Sequence, residues 1–385
     1  MRDGQGIKIM ISLCPASLFL ARSRLLLAVA LIVGTSSLLT APAYSAATMS
    51  TDSLDVPAQR VDERLPAPLL SVARAGDAMI SVGLHGLIQR STDSGRTWRQ
   101  VDSPVSSDLV QVRFRDERNG WIVGHDALVL HTTDGGHSWQ VQLDGRRLLT
   151  LLNAYYGPRA EKGDESAAAV VKEVAMAAGT SATPGVLAAP FLDVMFDEQG
   201  NGFAVGAFGL LLHSTDNGQN WEPWIERSDN ERRMHLYGLA QHGGAVYISG
   251  EQGLLMRLDR QQQRFVKIDT PYTGTYFGVR AYDHLLLAYG LRGNLFASRD
   301  DGQQWQAVDT NLNSSLVSIV EQGNALIVVS QGGQLVSVDR HSLQVTPLAD
   351  ARMGEVYAAS ATSQAGSLVV TRFSGAKVID IAQAN

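Results

Sequence analysis

The sequence predicts an all-β fold, a seven-bladed β-propeller with an inserted helical hairpin between blades 2 and 3. Three observations predict it: a turn motif that occurs four times, a repeat period near forty residues, and one long interruption of that period. Self-similarity at such a period is typical of arrays of small β units. Short strands joined by Gly- and Asp-rich turns at this spacing favour a ring of four-stranded blades.

The repeated motif reads Ser/Thr-x-Asp-x-Gly-x-x-Trp. Its sixteen residues are Ser91, Asp93, Gly95, Trp98, Thr132, Asp134, Gly136, Trp139, Ser214, Asp216, Gly218, Trp221, Ser298, Asp300, Gly302 and Trp305. The Asp can accept hydrogen bonds from backbone N–H groups, the Gly permits positive φ, and the Trp can pack against neighbouring strands. Because the same residues recur, we assign them a structural role in hairpins and not a catalytic one.

The spacing of the units sets the blade count at seven. Successive motif tryptophans lie 41, 82 and 84 residues apart, so two steps are near-double periods. In the second of these, Gly250 and Phe265 mark a degenerate unit whose turn residue Asp259 comes one place early. A sixth unit carries Asp339 in its turn and Val345 in the tryptophan position, and a seventh ends near Ile381.

The last unit is short of one strand. Four residues follow Ile381, which leaves no room for an outer strand. The segment Ser53–Asp62 precedes the first unit, and we predict that it supplies the missing strand and closes the ring. Such pairing would cover two exposed sheet edges.

Residues 144–189 interrupt the strand pattern. Apolar residues recur there at helical spacing, first from Arg146 to a Gly157-Pro158 stop and then from Asp164 to Gly179. We predict a helical hairpin on the face opposite the Asp turns, which either packs on the rim or docks another protein. The candidate partner-binding residues are Leu148, Leu152, Tyr155, Val170 and Val174.

Residues 1–46 are predicted to be a secretory signal, with the propeller spanning 53–385. Arg22 and Arg24 precede an apolar run over 25–39 and a stretch of small residues, as in cleaved signals, although an anchor fits the pattern too. A start at Met10, or nearer Arg22, is an alternative. We therefore expect an exported protein in the periplasm or on the extracytoplasmic face of a membrane.

The composition argues against several classes of function. The net charge is −6 and no basic stripe is present, which argues against nucleic acid as a partner. The single cysteine, Cys14, lies within the predicted signal. No spacing matches a zinc site, a phosphate loop or a nucleophile elbow, so no metal, no cofactor and no catalytic residue is predicted. We expect a monomeric propeller that binds protein partners.

The Ser/Thr-x-Asp-x-Gly-x-x-Trp unit resembles the Asp-box, also called the bacterial neuraminidase repeat. A second signature, Val-x-Phe followed by Gly-aromatic-x-Val-Gly, occurs over 112–124 and over 194–206. Over about residues 65–340 the chain resembles the photosystem II stability and assembly factor propellers and their relatives in non-photosynthetic bacteria.

This resemblance implies an exported, non-catalytic scaffold that supports the assembly or operation of a membrane or envelope complex. For the bacterial relatives it implies, in some cases, an exporter of the resistance-nodulation-division type. Where the photosynthetic members carry an arginine-rich surface, this sequence offers Arg113, Arg115 and Arg118, which argues against photosystem subunits as its partners.

The alternative is a sialidase-like exo-glycosidase, since those enzymes also carry Asp-boxes. A resemblance to those enzymes would imply a six-bladed ring with an Arg-Ile-Pro motif, three carboxylate-binding arginines and a Tyr/Glu nucleophile pair. Here Arg64-Leu65-Pro66 is the nearest match and the unit count is seven. The distinguishing observation is whether three arginines converge in the central mouth of the ring.

Overall fold

The computed structural model describes residues 52–62, 65–348 and 353–381. The predicted signal over residues 1–46 therefore lies outside the described residues. The described chain forms seven antiparallel sheets, six with four strands and the last with three. The seven-bladed propeller fold is confirmed.

The strands follow one another blade by blade. The first two blades consist of β1 (Leu69–Ala75), β2 (Ala78–Gly83), β3 (Ile88–Ser91) and β4 (Arg99–Val101), then β5 (Leu109–Phe114), β6 (Gly120–Gly124), β7 (Val129–Thr132) and β8 (Gln140–Leu143). The third and fourth consist of β9 (Phe191–Phe196), β10 (Gly202–Gly206), β11 (Leu211–Ser214) and β12 (Glu222–Pro223), then β13 (Leu236–His242), β14 (Ala245–Gly250), β15 (Leu255–Asp259) and β16 (Arg264–Lys267).

The remaining blades repeat this order. The fifth and sixth consist of β17 (Tyr276–Tyr282), β18 (Leu285–Gly290), β19 (Leu295–Ser298) and β20 (Gln306–Ala307), then β21 (Leu316–Gln322), β22 (Ala325–Ser330), β23 (Leu335–Asp339) and β24 (Val345–Pro347). The seventh consists of β25 (Ala358–Ala361), β26 (Ser367–Arg372) and β27 (Gly375–Asp380). The first strand of every blade lies innermost and lines a central channel.

The hydrophobic core is divided among the contacts between adjacent blades. The described residues form seven clusters of buried side chains, one for each neighbouring pair of blades, including the contact between the last blade and the first. In that contact Val369 of β26 packs against Val72 and Met79 of the first blade. Side-chain packing of this kind stabilises the closed ring because it removes apolar surface from water.

The prediction that Ser53–Asp62 pairs with the last blade is wrong. That segment forms no strand and lies along the first blade, where Ala58 N–H donates to the Ser103 carbonyl at 3.2 Å and Arg60 contacts Asp102. Ser53 donates to Asp126 at 2.8 Å, in the turn between β6 and β7 of the second blade. The backbone of the segment finds partners in the outer strand of the first blade, where the Val61 N–H donates to Gln100 Oε1 at 2.9 Å, and Leu54 packs against the core cluster between the first two blades.

The inserted hairpin lies between β8 and β9, that is, between the second and third blades. It consists of α1 (Gly145–Glu161) and α2 (Glu165–Thr180). Asp144 caps α1 by accepting from the Arg146 and Arg147 N–H groups, and Asp164 caps α2 through the Ala167 N–H. The predicted stop at Gly157-Pro158 is wrong, since α1 continues through Pro158. The last turn is held from outside, because Arg159 pairs with Asp164 and with Glu226 of the third blade.

The antiparallel order gives the ring two distinct faces. The Asp-box turns, which join the third and fourth strands, open on one side, here named the Asp-box face. The connections between blades open on the other side and include the hairpin, so this is named the hairpin face. Each inner strand runs from the hairpin face toward the Asp-box face.

Candidate protein-binding surfaces

The Asp-box turns have a common hydrogen-bond pattern, shown here by the second blade. Thr132 Oγ1 donates to Asp134 Oδ1 at 2.7 Å and accepts from the Gly136 N–H at 3.0 Å. The same carboxylate accepts from the His137 and Ser138 N–H groups at 2.9 and 3.0 Å. Gly136 adopts a φ of 80°, which a glycine tolerates without strain. The first, third and fifth blades repeat the hydroxyl–carboxylate and hydroxyl–glycine contacts.

These carboxylates are held in the ionised form. Burial raises the pKa of Asp134, but hydrogen bonds from Ser138 and Thr132 outweigh it and bring the pKa to about 2. Hydrogen bonds from Thr97 and Ser91 lower the pKa of Asp93 to about 2. A carboxylate that accepts several N–H and O–H donors is stabilised in its charged form. Their donors all come from their own turns, which is what a structural turn requires.

The four motif tryptophans pack between blades. Trp139 and Trp221 are buried, whereas Trp98 and Trp305 are partly buried. In these two turns the indole N–H donates to the carbonyl of the motif glycine, Gly95 or Gly302, at 2.9 and 3.1 Å. None of the four lines the central channel.

The candidate partner-binding residues of the hairpin lie mostly inside the protein. Leu148, Leu152, Val170 and Val174 are buried in the cluster that joins the hairpin to the second and third blades. Tyr155 is partly buried and its hydroxyl lies 3.4 Å from Glu222. Their surface is used for packing, so a partner that binds the hairpin in this arrangement meets its other side.

Tyr156 is the hairpin residue that sequence reasoning missed. It is fully buried, its hydroxyl donates to Glu226 at 2.5 Å, and burial followed by the Glu226 contact raises the pKa of this phenol. Leu148, Leu152 and Tyr156 follow one another at intervals of four residues, which is the signal that could have identified it.

The exposed side of the hairpin belongs mainly to α2. Met176 is 64% exposed and is one of six exposed large apolar side chains among the described residues. Ala168, Lys172 and Ala175 are exposed on the same helix, and Glu173 pairs at 2.9 Å with Arg233, which lies in the connection between the third and fourth blades. This exposed side, centred on Met176, is named the outer surface of the hairpin.

The central channel encloses about 740 Å³. Arg74, Arg113 and Arg280 all line it, but each guanidinium is held in a different place. Arg113 pairs with Asp193 of the third blade and donates to the Leu239 carbonyl of the fourth at 3.0 Å. Arg74 reaches the Thr362 carbonyl of the seventh blade, while Arg280 donates to the adjacent Val279 carbonyl at 3.1 Å. The three do not converge on one point.

Tyr282 and Glu321 also line the channel, but the properties of these two residues differ from those of a glycosidase pair. Burial raises the pKa of Tyr282 to about 12, and Glu321 adds to the rise. Glu321 itself pairs with Arg340 at 2.5 Å. A phenol with a raised pKa stays protonated and is a poor nucleophile.

Arg115 and Arg118, the other two members of the expected arginine surface, are bound within the propeller. Arg115 donates to Asn217 at 2.6 Å and lies over the Trp121 ring, and Arg118 donates to the Thr133 carbonyl at 3.2 Å. Among the described residues no group of His, Cys, Asp and Glu could hold a metal ion. No helix within the same residues is long and apolar enough to cross a membrane.

Solved structures of the same fold show the class of protein, a seven-bladed propeller. The structure "YCF48 from Cyanidioschyzon merolae" superposes with a TM-score of 0.59 at 13% identity, covering 84% of this chain and 99% of that one. "YCF48 bound to D1 peptide" superposes with a TM-score of 0.57 at 15% identity, covering 84% and 98%. At these identities the likeness shows the fold, a seven-bladed propeller of the same kind.

The family follows from the sequence. The model of the family described as "Photosynthesis system II assembly factor YCF48" matches residues 71–152 and 185–339, and the chain belongs to that family. The gap in the match falls on the hairpin and its C-terminal connection. The chain is thus a propeller of an assembly-factor family.

Several curated relatives are named photosystem II assembly lipoprotein Ycf48, and two of them match over long stretches of the chain. The protein from Synechococcus sp. (strain CC9902) is 26% identical over 189 residues, covering 46% of this chain and 44% of the relative. One from Prochlorococcus marinus is 26% identical over 204 residues, covering 48% and 56%. The chain spans about half the length of the curated relatives it matches.

Proposed function

We propose that this protein is an exported, non-catalytic scaffold that supports the assembly or operation of a membrane or envelope protein complex. The observation that carries the proposal is its membership of an assembly-factor family, whose model covers most of six blades. The name of one similar structure includes a bound D1 peptide, which supports a protein as the partner.

The export part of the proposal rests on the sequence pattern of residues 1–46 and on the curated relatives that are named lipoproteins. The same pattern favours the periplasm or the extracytoplasmic membrane face as the location. An exporter of the resistance-nodulation-division type is the partner complex that the resemblance to bacterial relatives suggests. The sixteen Asp-box residues act in this proposal as structural residues of the ring.

The outer surface of the hairpin is the partner-binding surface that we propose. The hairpin is an addition to the repeat, it overhangs one face of the ring, and its inner side is already used for packing. Met176 contributes an exposed apolar side chain there, and exposed apolar patches commonly mark protein interaction sites.

Affinity capture from envelope extracts tests this proposal. The tagged full-length protein is compared with Met176→Glu and with a matched control, Phe373→Glu, because Phe373 is 62% exposed on the seventh blade. We expect one membrane complex to be captured by the wild type and the control, and the capture to be lost with Met176→Glu while the melting temperature is unchanged.

Two results separate the parts of the proposal. If no envelope protein is captured reproducibly by the wild type, the scaffold function is contradicted. If Met176→Glu captures the same complex as the wild type, the scaffold function stands and the hairpin is not its binding surface.

A further inference from the structure

The inner strands of six blades each contain a β-bulge, which no local sequence pattern marks. In six blades the pairing between the first and second strands shifts by one residue, which leaves one residue of the inner strand outside the ladder. A β-bulge of this kind redirects a side chain. The six bulged residues are Leu70, Val110, Leu192, Tyr237, Phe277 and Val317, and all of them line the central channel.

Tyr357 lies in the corresponding place just before β25 and lines the channel as well. Together the seven side chains form a ring, here named the collar, at the channel end nearest the hairpin face. All seven are apolar or aromatic. Tyr237 and Phe277 are neighbours in the collar, with ring centroids 5.4 Å apart in an edge-to-face arrangement.

Arg280 lies deeper in the channel than the collar. It follows Phe277 by three residues on β17, which places it about 10 Å further along the strand. Its guanidinium donates to the Val279 carbonyl and lies 6.0 Å from the centre of the Tyr289 ring. Gly278 makes this arrangement possible, because a Cβ there would lie only 2.3 Å from Tyr289.

Arg280 makes no ion pair with either of the two carboxylates of the channel, although Asp193 adds to the effect of Tyr289 and Tyr282 in raising the pKa of its guanidinium. Asp193 is 1% exposed and is bound by Arg113 and by the Leu239 N–H at 2.8 Å. Glu321 is bound by Arg340. A guanidinium enclosed in a protein without a directly paired carboxylate is costly, and its planar donors are well suited to binding a carboxylate through two parallel hydrogen bonds.

We propose that the channel is a binding site for a carboxylate carried on an apolar or aromatic stem. The stem contacts the collar beside Tyr237 and Phe277, and the carboxylate pairs with Arg280. A volume of 740 Å³ falls within the range of about 300–1,000 Å³ that is usual for small-ligand pockets. A free organic acid and the C-terminus of a peptide share this chemistry, and the experiment distinguishes them.

Calorimetric titration with matched probes tests the site. One pair is 4-phenylbutyrate and 4-phenylbutanamide, which differ in charge. The other pair is a tetrapeptide ending in Leu-Phe with a free or an amidated C-terminus. We expect at least one free carboxylate to bind and its uncharged partner to bind at least tenfold more weakly.

Three variants locate the binding. Arg280→Gln should weaken the carboxylate at least tenfold, Phe277→Ala should weaken it less, and Arg99→Gln, a control at an exposed arginine of the outer strand β4, should leave it unchanged. Binding of 4-phenylbutyrate alone assigns a free acid, and binding of the peptide alone assigns a peptide C-terminus. If neither carboxylate binds the wild type, or if Arg280→Gln binds as well as the wild type, the proposal is overturned.

Folding of Arg280→Gln is checked by its melting temperature in the absence of probe. Because Arg280 makes no ion pair with a carboxylate among the described residues and its hydrogen bond goes to the adjacent Val279 carbonyl, we expect little loss of thermal stability. A large loss would show that the arginine is a structural residue of the ring and would contradict the proposal as well.

Discussion

The turn between the third and fourth strands is built from different residues in the second and sixth blades. In the second, Gly136 supplies the positive φ, Asp134 accepts the N–H groups and Trp139 fills the space between blades. In the sixth, Leu343 takes a φ of 60° although it is not a glycine, and Asp339 accepts from the His341 and Ser342 N–H groups at 3.1 and 2.7 Å.

Core filling also differs between the two blades. Val345 pairs with Val338 in the sixth blade and stands in the position of the motif tryptophan, and Leu343 is buried beside it in the cluster shared with the fifth blade. Two aliphatic side chains thus occupy the place of one indole. Both blades therefore have an aspartate at this turn, whereas their core residues differ. The aspartate is needed in both because the backbone N–H groups of the turn require an acceptor, whichever side chains fill the core.

The largest expected difference between the two blades is the cost of losing the core residue. Trp139→Ala should lower the free energy of unfolding by about 3–5 kcal/mol, since it removes a buried aromatic side chain. Val345→Ala should cost about 1 kcal/mol, because the smaller side chain is only partly buried and Leu343 remains. Urea denaturation of both variants measures this difference. Equal costs would show that the indole has no special part in its blade.

The next prediction concerns glycine. Gly136→Ala should cost about 1–2 kcal/mol, because its φ is positive and a Cβ would lie 2.6 Å from Ile80. The matched variant is Gly179→Ala in α2, where a Cβ meets nothing within 4 Å and helix propensity gives a gain of about 0.5–1 kcal/mol. Thermal melting of the two should therefore shift in opposite directions. If both variants melt at a lower temperature than the wild type, the loss of stability comes from the added methyl group and not from the positive φ of the turn.

The smallest expected effect is that of charge at the turns, and it depends on pH. Asp93 and Asp134 have pKa values of about 2 in the folded protein, below the ordinary value of 3.8. The unfolded chain therefore binds protons more readily, so this contribution to stability is complete above about pH 5 and is lost as the pH falls toward 2.

Melting temperatures measured from pH 7 to pH 2 test this assignment. Asp93→Asn with Asp134→Asn should lower the melting temperature at pH 7 and flatten its fall between pH 5 and 2. A double variant with the same acid-induced fall as the wild type would assign the acid sensitivity to other carboxylates.

Much of the fold can be predicted from the sequence because each repeat fixes the positions of its residues relative to its own glycine. Counting from a glycine places Phe265 and Val345 in the tryptophan position, and both occupy the equivalent place in their strands. Helical spacing likewise identifies Leu148 and Leu152 as one face of a helix. These inferences succeed since strand and helix periods are local properties of the chain.

The rest depends on contacts between distant segments. The pairing of Arg113 with Asp193 joins two blades whose residues lie far apart in sequence, and no local pattern marks it. The bulges escape sequence reasoning for the same reason, because a skipped residue such as Phe277 looks like any other strand residue. The prediction for Ser53–Asp62 is wrong because a missing outer strand does not require a replacement when Val369 and Met79 already pack the closing contact.

The collar has a consequence for how such a protein can change over evolutionary time. Each bulged residue is outside the ladder of its own blade, so its replacement leaves strand pairing intact. The residue at this position can therefore vary independently from blade to blade, at the six bulges and at Tyr357 just before β25. The side chains around the opening can therefore change while the strand pairing of the ring stays the same. A library that randomises Leu70, Val110 and the other five collar residues would use this property on an unchanged backbone.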